Sequence, residues 1–348
     1  MTKAKRAPAI ELVDISTLSE QDWHIWRSKG IGGSDLAAIM GLSPWATCRD
    51  IYYKKVGVVG ALDKEADKVN WVAKEVGHLL EPLVAKIFEF KTGLKPFAVR
   101  KMFAHPIYPY MIANLDYMII LPDGRRAILE CKTTNHHAKD KWDDDAVPVN
   151  YELQCRHYMA VMDIDVVYIA CLMGNNEADF VWRRIDRNLA YEEDIIATEV
   201  DFWQNNVVAR VEPQYTEDSD LVLQSIRNHF GYGNKDADEV MLAPGWVDSL
   251  LEYERLKAEK SKLEKEAEAI KDRMTLTQAL IVEEMGVSCK ATCKGDDVVF
   301  TITNNPILRD NVDKDGLKAK YPAAFDEFIV KKPSTPRFTV KRAKAKAS

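Results

Sequence analysis

Apolar and polar positions alternate along this chain in patterns that predict both helices and strands. Capped segments with helical periodicity predict helices over residues 19–26, 36–40, 47–56, 71–91, 149–162 and 189–210. Short apolar runs predict strands over residues 94–103, 115–121, 127–133, 165–173 and 180–185. Helices ahead of, between and behind strands indicate an α/β fold with a central mixed sheet flanked by helices.

The strands predicted over residues 115–121 and 127–133 form a hairpin in this interpretation. Pro122-Asp123-Gly124 supplies a turn signal between them. Both segments are apolar and strand-prone, so we expect them to pair.

The chain changes character beyond about residue 225, which predicts a core over residues 1–225 and a C-terminal region over 226–348. Residues 246–285 are charge-rich and helical, and an imperfect heptad there predicts a helical hairpin or a coiled-coil arm. Residues 289–303 predict a β-hairpin, and residues 338–340 a further strand.

Composition sets the class of protein. The chain has 348 residues, of which 47% are hydrophobic and 29% charged, as in an ordinary globular protein. No apolar run reaches the length of a membrane span, and the first residues lack a signal-peptide pattern, so we expect a cytoplasmic location. The six cysteines are scattered, which favours reduced thiols over disulfides, zinc or iron–sulfur sites.

Asp116, Glu130 and Lys132 are the candidate catalytic residues of the predicted hairpin. Side chains alternate along a strand, so Glu130 and Lys132 face one side while Leu129 and Cys131 face the other. A carboxylate from each strand can share Mg²⁺, a hard cation that prefers oxygen ligands. The alternative is a set of ordinary strand-edge charges, but charges among apolar strands are costly unless paired or bound to metal.

Five short motifs occur in order along the chain. They are Trp23-His24-Ile25-Trp26-Arg27, Gly30-Ile31-Gly32-Gly33-Ser34-Asp35, Gly77-His78-Leu79-Leu80-Glu81-Pro82, Asp116 with Glu130-x-Lys132, and Gln154-Cys155-Arg156-His157-Tyr158. This order resembles the YqaJ and lambda-exonuclease group of phage recombination nucleases, in the PD-(D/E)XK superfamily. The resemblance covers about residues 20–210. Leu115 replaces the proline of the signature, at a position that supplies no ligand.

The resemblance implies a role for each residue of the metal site. Asp116 and Glu130 would hold two Mg²⁺ ions, for which Mn²⁺ can substitute, with the backbone carbonyl of Cys131 as a further ligand. Lys132 would orient the attacking water and help to deprotonate it. Glu81 would lie beside the metals, although a glutamate in a helix is more often simply solvated.

Arg27 and Ser34 flank a glycine-rich turn and could form an anion pocket at a helix start. The alternative is a capping serine and a surface arginine, but the resemblance implies that both hold the 5′ phosphate of the degraded strand. Asp35 is interpreted as a capping residue. Gln154 and Tyr158 lie one helical turn apart, and the resemblance places them at the border of the active site.

The net charge of −6 is unfavourable for binding DNA, so the distribution of charge matters more than its sum. Residues 331–348 carry seven basic and no acidic side chains, and the last six residues are interpreted as a solvated end. His136, His137, Lys139 and Lys141 are interpreted as loop residues that could contact phosphate, not as metal ligands.

The sequence therefore predicts a Mg²⁺-dependent exonuclease that degrades double-stranded DNA from its ends in phage-type homologous recombination. Two alternatives stay open: an endonuclease with the same core, and a non-catalytic DNA-end-binding scaffold that recruits partners through residues 246–285. The resemblance also implies 5′ to 3′ digestion, a ring-shaped homotrimer, a single-strand-annealing partner protein and a bacterial host cell, with no membrane association.

Overall fold

The computed structural model describes residues 7–60, 71–232, 234, 236–296, 298–305 and 314–323. The predicted basic tail and the strand at residues 338–340 lie outside the described residues. The chain separates into two compact units, residues 1–233 and residues 234–348.

A four-stranded sheet forms one part of the first unit. Its strands in spatial order are β1 (Ile10–Asp14), β4 (Lys101–Ala104), β5 (Met111–Asn114) and β2 (Ile31–Gly32). The pairs β1/β4 and β4/β5 are antiparallel, while β5 and β2 are parallel. The first of these strands was not predicted from the sequence.

A five-stranded mixed sheet forms the centre of the same unit. Its strands in spatial order are β3 (Pro96–Ala98), β6 (Tyr117–Ile120), β7 (Arg126–Thr134), β8 (Val166–Met173) and β9 (Phe180–Asp186). The predicted hairpin is confirmed, because β6 and β7 pair antiparallel across the turn at Asp123. β7 and β8 pair in parallel. The region predicted as strand over residues 94–103 contains two strands, β3 and most of β4, and the chain passes there from one sheet to the other.

The helices begin and end largely where the capping residues predict. Those of the first unit are α1 (Glu20–Ser28), α2 (Gly33–Ile39), α3 (Cys48–Val56), α4 (Trp71–Thr92), α5 (Val149–Met162), α6 (Leu189–Asp201) and α7 (Ser219–Phe230). Thr47 and Asp50 form a capping box at the start of α3, and Gly57 ends it with φ of 77°. The helix predicted over residues 189–210 continues from α6 as a π-helix over Phe202–Val208. α7 was not predicted.

The central sheet is covered on both faces. Phe88 of α4 packs with Leu129 on one face, and Met159 of α5 packs with Ile128 on the other. All four side chains are fully buried or nearly so. The predicted α/β architecture, a mixed sheet flanked by helices, is confirmed.

The second unit contains one long helix and a small β element. Helix α8 spans Trp246–Met285, a run of 40 residues, and a hairpin of β10 (Lys290–Lys294) and β11 (Val299–Thr303) follows it. A short helix, α9, covers Lys314–Lys320. The alternative of a helical hairpin over residues 246–285 is wrong, because α8 is continuous. No residue of α8 is buried.

Two expectations from composition concern the state of the cysteines and the presence of membrane-spanning helices. All six cysteines are free thiols, and four of them are buried: Cys48, Cys131, Cys155 and Cys171. None of the described helices combines the length and apolarity that crossing a bilayer requires.

Candidate active site

Asp116, Glu130 and Lys132 come together beside strand β7. Glu130 and Lys132 lie on one face of this strand, as alternation predicts, while Leu129 and Cys131 pack on the opposite face. The strand predicted to hold Asp116 begins one residue later, at the end of a bend where the chain leaves the four-stranded sheet. The backbone N–H of Cys131 donates to Asp116 Oδ2 over 2.8 Å and fixes this bend against β7.

Four side chains form a hydrogen-bonded network on this face. Lys132 Nζ donates to Glu130 Oε1 over 2.6 Å and to Gln154 Oε1 over 3.0 Å. Gln154 Nε2 donates to the same Glu130 oxygen over 2.7 Å and to Tyr158 Oη over 2.9 Å. The network joins helix α5 to strand β7, and it brings Gln154 and Tyr158 to the predicted catalytic residues.

Two carboxyl groups, those of Glu130 in this network and of the neighbouring, half-buried Asp116, face a single cation, Lys132. Burial, and then the Asp116 carboxylate, raise the pKa of Glu130 to about 8. Burial also raises the pKa of Asp116 to about 6, although Lys132 opposes the change. Glu130 Oε2 is buried without a hydrogen-bond partner among the described residues. The Asp116 and Glu130 carboxyl groups lie close enough for the charge of Asp116 to contribute to the raised pKa of Glu130, and both face the single cation Lys132.

Glu81 of α4 adds a third carboxyl group to the same region. It is partly buried, and its pKa is raised by burial and by the charge of Glu130. Glu81 and the Tyr117 hydroxyl are hydrogen-bonded. The structure therefore places Glu81 beside the predicted site and not on a solvated helix face. Glu81, Asp116, Glu130 and Lys132 are called the acidic centre below.

The oxygen donors of the acidic centre suit a divalent cation that is completed by its substrate. Over the described ranges, no three His, Cys, Asp or Glu side chains are spaced to hold an ion by themselves. Mg²⁺ commonly binds through one or two carboxylates together with substrate phosphates and water. Asp116 and the unpartnered Glu130 Oε2 fit this kind of site. The further ligand predicted at the Cys131 carbonyl stays a prediction.

A second cluster of charged side chains surrounds Asp35 at the start of α2. Arg27 Nη2 donates to Ser34 Oγ over 2.8 Å, and Arg27 Nη1 lies 3.3 Å from Asp35 Oδ2. Lys55 Nζ approaches the same Asp35 oxygen to 2.7 Å, with only 5% of its side chain exposed. The Gly32 N–H also donates to Asp35 Oδ2, over 2.9 Å, so the predicted capping role of Asp35 is observed. Arg27, Ser34, Asp35 and Lys55 are called the basic cluster below.

The basic cluster carries more positive than negative charge. Burial alone would raise the pKa of Asp35, but Arg27 and Lys55 hold it well below its usual range. Burial lowers the pKa of Lys55, and Arg27 adds to this effect, while Asp35 opposes it. Two cations thus share one carboxylate, which leaves the cluster suited to an anion such as phosphate.

Two glycines allow the basic cluster to lie against the acidic centre. A Cβ atom on Gly32 would overlap the Arg27 guanidinium. A Cβ atom on Gly33 would lie 2.9 Å from both Gln154 Cγ and Tyr158 Cε1. Arg27, the glycine turn and Gln154 are therefore in continuous contact, and Gln154 belongs to the network of the acidic centre.

Sequence reasoning missed Lys55 and Tyr151. Tyr151 lies with its ring centroid 5.1 Å from Lys132 Nζ. It precedes Gln154 and Tyr158 by three and seven residues on α5, so helical spacing could have placed it on the same face. Lys55 lies in the last turn of α3, where a lysine is ordinarily a solvated residue that favours the helix dipole, and the sequence contains no signal for its burial.

The residues predicted as phosphate-contacting loop residues lie on a 3₁₀ helix, His136–Trp142. His136 Nδ1 lies 3.6 Å and Lys139 Nζ 3.2 Å from Asp179 carboxylate oxygens. His137 and Lys141 are exposed. Their contact with phosphate stays a prediction.

Comparison with known proteins gives one match over almost the whole chain. The uncharacterized protein YqaJ of Bacillus subtilis (strain 168) is 30% identical over 342 residues, which are 97% of this chain and 98% of that protein. Residues 22–165 match a family model described as the YqaJ-like viral recombinase domain.

Two solved structures are similar over about half of the chain. The alkaline exonuclease LHK-Exo from Laribacter hongkongensis is 17% identical, with a TM-score of 0.45, over 55% of this chain and 94% of that chain. A phage-related exonuclease from Haemophilus somnus 129PT is 16% identical, with a TM-score of 0.34, over 53% of this chain and 95% of that chain. The assignment to a family therefore depends on the relative that matches nearly end to end.

Proposed function

This chain belongs to the YqaJ-like viral recombinase family, and from that premise and the geometry of the site we propose that it is a Mg²⁺-dependent exonuclease that degrades double-stranded DNA from its ends. The substrate class is a phosphodiester. The reaction is hydrolysis, with water as the nucleophile. The family resemblance predicted from the five motifs is confirmed, and the activity is our proposal.

One observation carries the proposal: the acidic centre lacks positive charge, and the adjoining basic cluster has an excess of it. Burial raises the pKa values of Asp116 and Glu130, and one lysine, Lys132, faces both carboxylates. Arg27 and Lys55 together face the single carboxylate of Asp35. A cation and a phosphate group bound side by side would balance both clusters at once.

Each side chain of the acidic centre would have a different role in hydrolysis. Asp116 and Glu130 would hold the divalent cation, which polarises the phosphate and stabilises the charge that develops in the transition state. Lys132, fixed by Glu130 and Gln154, would orient the attacking water. Glu81, which is hydrogen-bonded to Tyr117, would help to hold the cation or orient a water molecule.

The basic cluster would recognise the end of the strand. Arg27 and Ser34 are hydrogen-bonded to each other and form a polar surface at the start of α2. A terminal 5′ phosphate offers oxygens for charge-assisted hydrogen bonds that an internal phosphodiester cannot fully match. This arrangement favours an exonuclease over an endonuclease, and digestion from 5′ to 3′.

The family membership also supports proposals about partners. A nuclease of this kind would act with a single-strand-annealing protein, and a ring-shaped homotrimer would enclose the DNA. The 40-residue helix α8 offers the exposed apolar side chains that such contacts need, among them Leu256, Leu263 and Ile270.

A digestion assay tests the proposal. The substrates are linear duplexes labelled separately at each 5′ and each 3′ end and a covalently closed circle, each with and without Mg²⁺. The wild-type protein should shorten the linear duplex only with Mg²⁺, release the 5′ label first and spare the circle. Asp116→Asn should be inactive. Cutting of the circle would indicate an endonuclease, and binding without any cutting would indicate a scaffold protein.

A further inference from the structure

Trp45 is a large exposed aromatic side chain on a firmly anchored turn. Its side chain is 65% exposed. The turn is held by Ser43, whose hydroxyl accepts hydrogen bonds from the Trp45 and Ala46 N–H groups over 3.2 and 3.3 Å. Thr47, which follows Ala46, is fully buried and caps helix α3. The indole is therefore presented to solvent from fixed backbone.

Trp45 is the outer member of a row of three aromatic rings that passes the acidic centre. Trp142, only 2% exposed, lies 6.1 Å from Tyr151 between ring centroids, and Tyr151 lies 6.1 Å from Trp45. Tyr151 is the residue whose ring lies 5.1 Å from Lys132 Nζ. The row therefore leads from the protein interior, past the catalytic lysine, to an exposed indole.

The position of the indole favours a nucleobase as its partner. A DNA strand advances about 3.4 Å for each nucleotide. A phosphodiester cleaved beside Lys132 therefore places the bases of the nearest one to three nucleotides within reach of a ring that lies one aromatic contact beyond Tyr151. Every base has a flat face, and bases stack on tryptophan whatever their sequence. Sequence-independent stacking suits an enzyme that digests any strand.

We propose that the Trp45 indole stacks on a base within the first three nucleotides of the strand end, an inference that depends on the proposed function. The site takes a nucleobase exposed at or near the end of the duplex. Stacking would hold the terminal nucleotides beside the acidic centre while the phosphate is cleaved.

Abasic substrates test this contact directly. Three 5′-phosphorylated duplexes each carry one abasic nucleotide, at the first, second or third position from the digested end, and are compared with the intact duplex. The wild-type protein should digest one of the three about five- to hundredfold more slowly than the intact duplex, because base stacking on an aromatic ring contributes on that scale. Trp45→Ala should digest the intact and abasic duplexes at the same low rate.

Three further variants separate stacking from other effects. Trp45→Phe should keep much of the sensitivity to the missing base, while Trp45→Leu, apolar but not aromatic, should lose it. Phe90→Ala is the matched control, since Phe90 is 82% exposed and lies nine residues beyond Glu81 on α4. It should behave as the wild type does.

The outcomes distinguish this inference from the proposed function. If the wild-type protein digests DNA but is insensitive to all three abasic sites, or if Trp45→Ala keeps the full sensitivity, the stacking inference is wrong and the proposed function stands. If no DNA is digested, the Kd values for the intact and abasic duplexes are measured for the Asp116→Asn protein and for the double variant Asp116→Asn, Trp45→Ala. This binding experiment compares the effect of the missing base without requiring cleavage. Equal loss of affinity at the abasic site in both proteins would overturn the inference.

Discussion

Asp35 and Glu130 are both buried carboxylates that accept a short hydrogen bond from a lysine, yet their pKa values move in opposite directions. Lys55 lies 2.7 Å from Asp35, and Lys132 lies 2.6 Å from Glu130. The pKa of Asp35 is held well below its usual range, whereas that of Glu130 is raised to about 8. The length of the ion pair therefore does not explain the difference.

The number of charges around each carboxylate explains why the two pKa values move in opposite directions. Asp35 has two cations and a backbone N–H, which together outweigh the cost of burial. Glu130 has one cation, which it shares with a second carboxylate, Asp116. From this imbalance we expect the acidic centre to bind a cation and the basic cluster an anion, as proposed above.

Removing a charge from the acidic centre should have the largest effect on turnover. Asp116→Asn and Glu130→Gln should each lower the rate of digestion by at least about 10²- to 10³-fold, the usual cost of losing one preorganised charge-stabilising group. Each substitution removes a carboxylate that lacks balancing charge, so the free energy of unfolding without Mg²⁺ should not fall. Single-turnover digestion and urea unfolding measure the two quantities. An Asp116→Asn protein with wild-type rates would show that the site is assigned to the wrong residues.

A third buried pair is balanced one to one and provides a reference. His157 Nδ1 lies 2.7 Å from Glu199 Oε1, both side chains are fully buried, and His157 Nε2 bonds to the Ile112 carbonyl. Burial alone would lower the pKa of His157, but Glu199 and this carbonyl raise it overall. Glu199→Gln should lower the free energy of unfolding by about 3–5 kcal/mol, the usual cost of breaking a buried ion pair.

The loss of unfolding free energy in Glu199→Gln should depend on pH with a defined sign. A histidine whose pKa is raised on folding stabilises the protein fully below the unfolded pKa of about 6.5, and this contribution is lost as the pH rises through the folded pKa. The difference between wild type and Glu199→Gln should therefore be largest in mild acid and shrink in mild alkali. Urea unfolding of both proteins at several pH values measures it, and other titrating groups cancel. A difference that grows with pH would contradict the assignment of an ionised His157.

Neutralising the basic cluster should change substrate preference more than folding. Arg27→Ala should remove about a ten- to hundredfold preference for 5′-phosphorylated over dephosphorylated ends, as expected for one charge-assisted contact. Lys55→Met should reduce the same preference less. Asp35 would then be paired with Arg27 alone, which would leave less positive charge for the phosphate. The ratio of digestion rates on the two kinds of end provides the readout. An unchanged ratio in Arg27→Ala would remove the basis for end recognition.

Truncation after residue 233 should have the smallest effect on the chemistry. The residues of both charged clusters, and of every hydrophobic core cluster in the described part of the chain, precede this point. The truncated protein should fold cooperatively and respond to Mg²⁺ as the full chain does. Circular dichroism and thermal unfolding are sufficient to check this, and an insoluble or unfolded product would show that the first unit depends on the rest of the chain.

The sequence predicted the elements that local chemistry determines. Caps such as Thr47 and Gly57, and the strand alternation around Glu130, depend on neighbouring residues and were predictable. The burial of Lys55 and the pairing of His157 with Glu199 were not, because the partners lie 20 and 42 residues apart and only the tertiary fold brings them together. The bend at Asp116 was missed because an apolar run does not reveal where a chain changes sheets.

Binding of Mg²⁺ to the DNA-free protein tests most directly whether the acidic centre is a cation site. Thermal unfolding is measured over a Mg²⁺ titration for the wild type, Asp116→Asn and Glu130→Gln. A ligand that binds only the folded state adds about 2.7 kcal/mol of stability at a hundred times its Kd. The wild type should therefore become more stable as Mg²⁺ rises, and both variants should lose most of this response. A wild-type protein that does not respond, or variants that respond equally, would contradict the account.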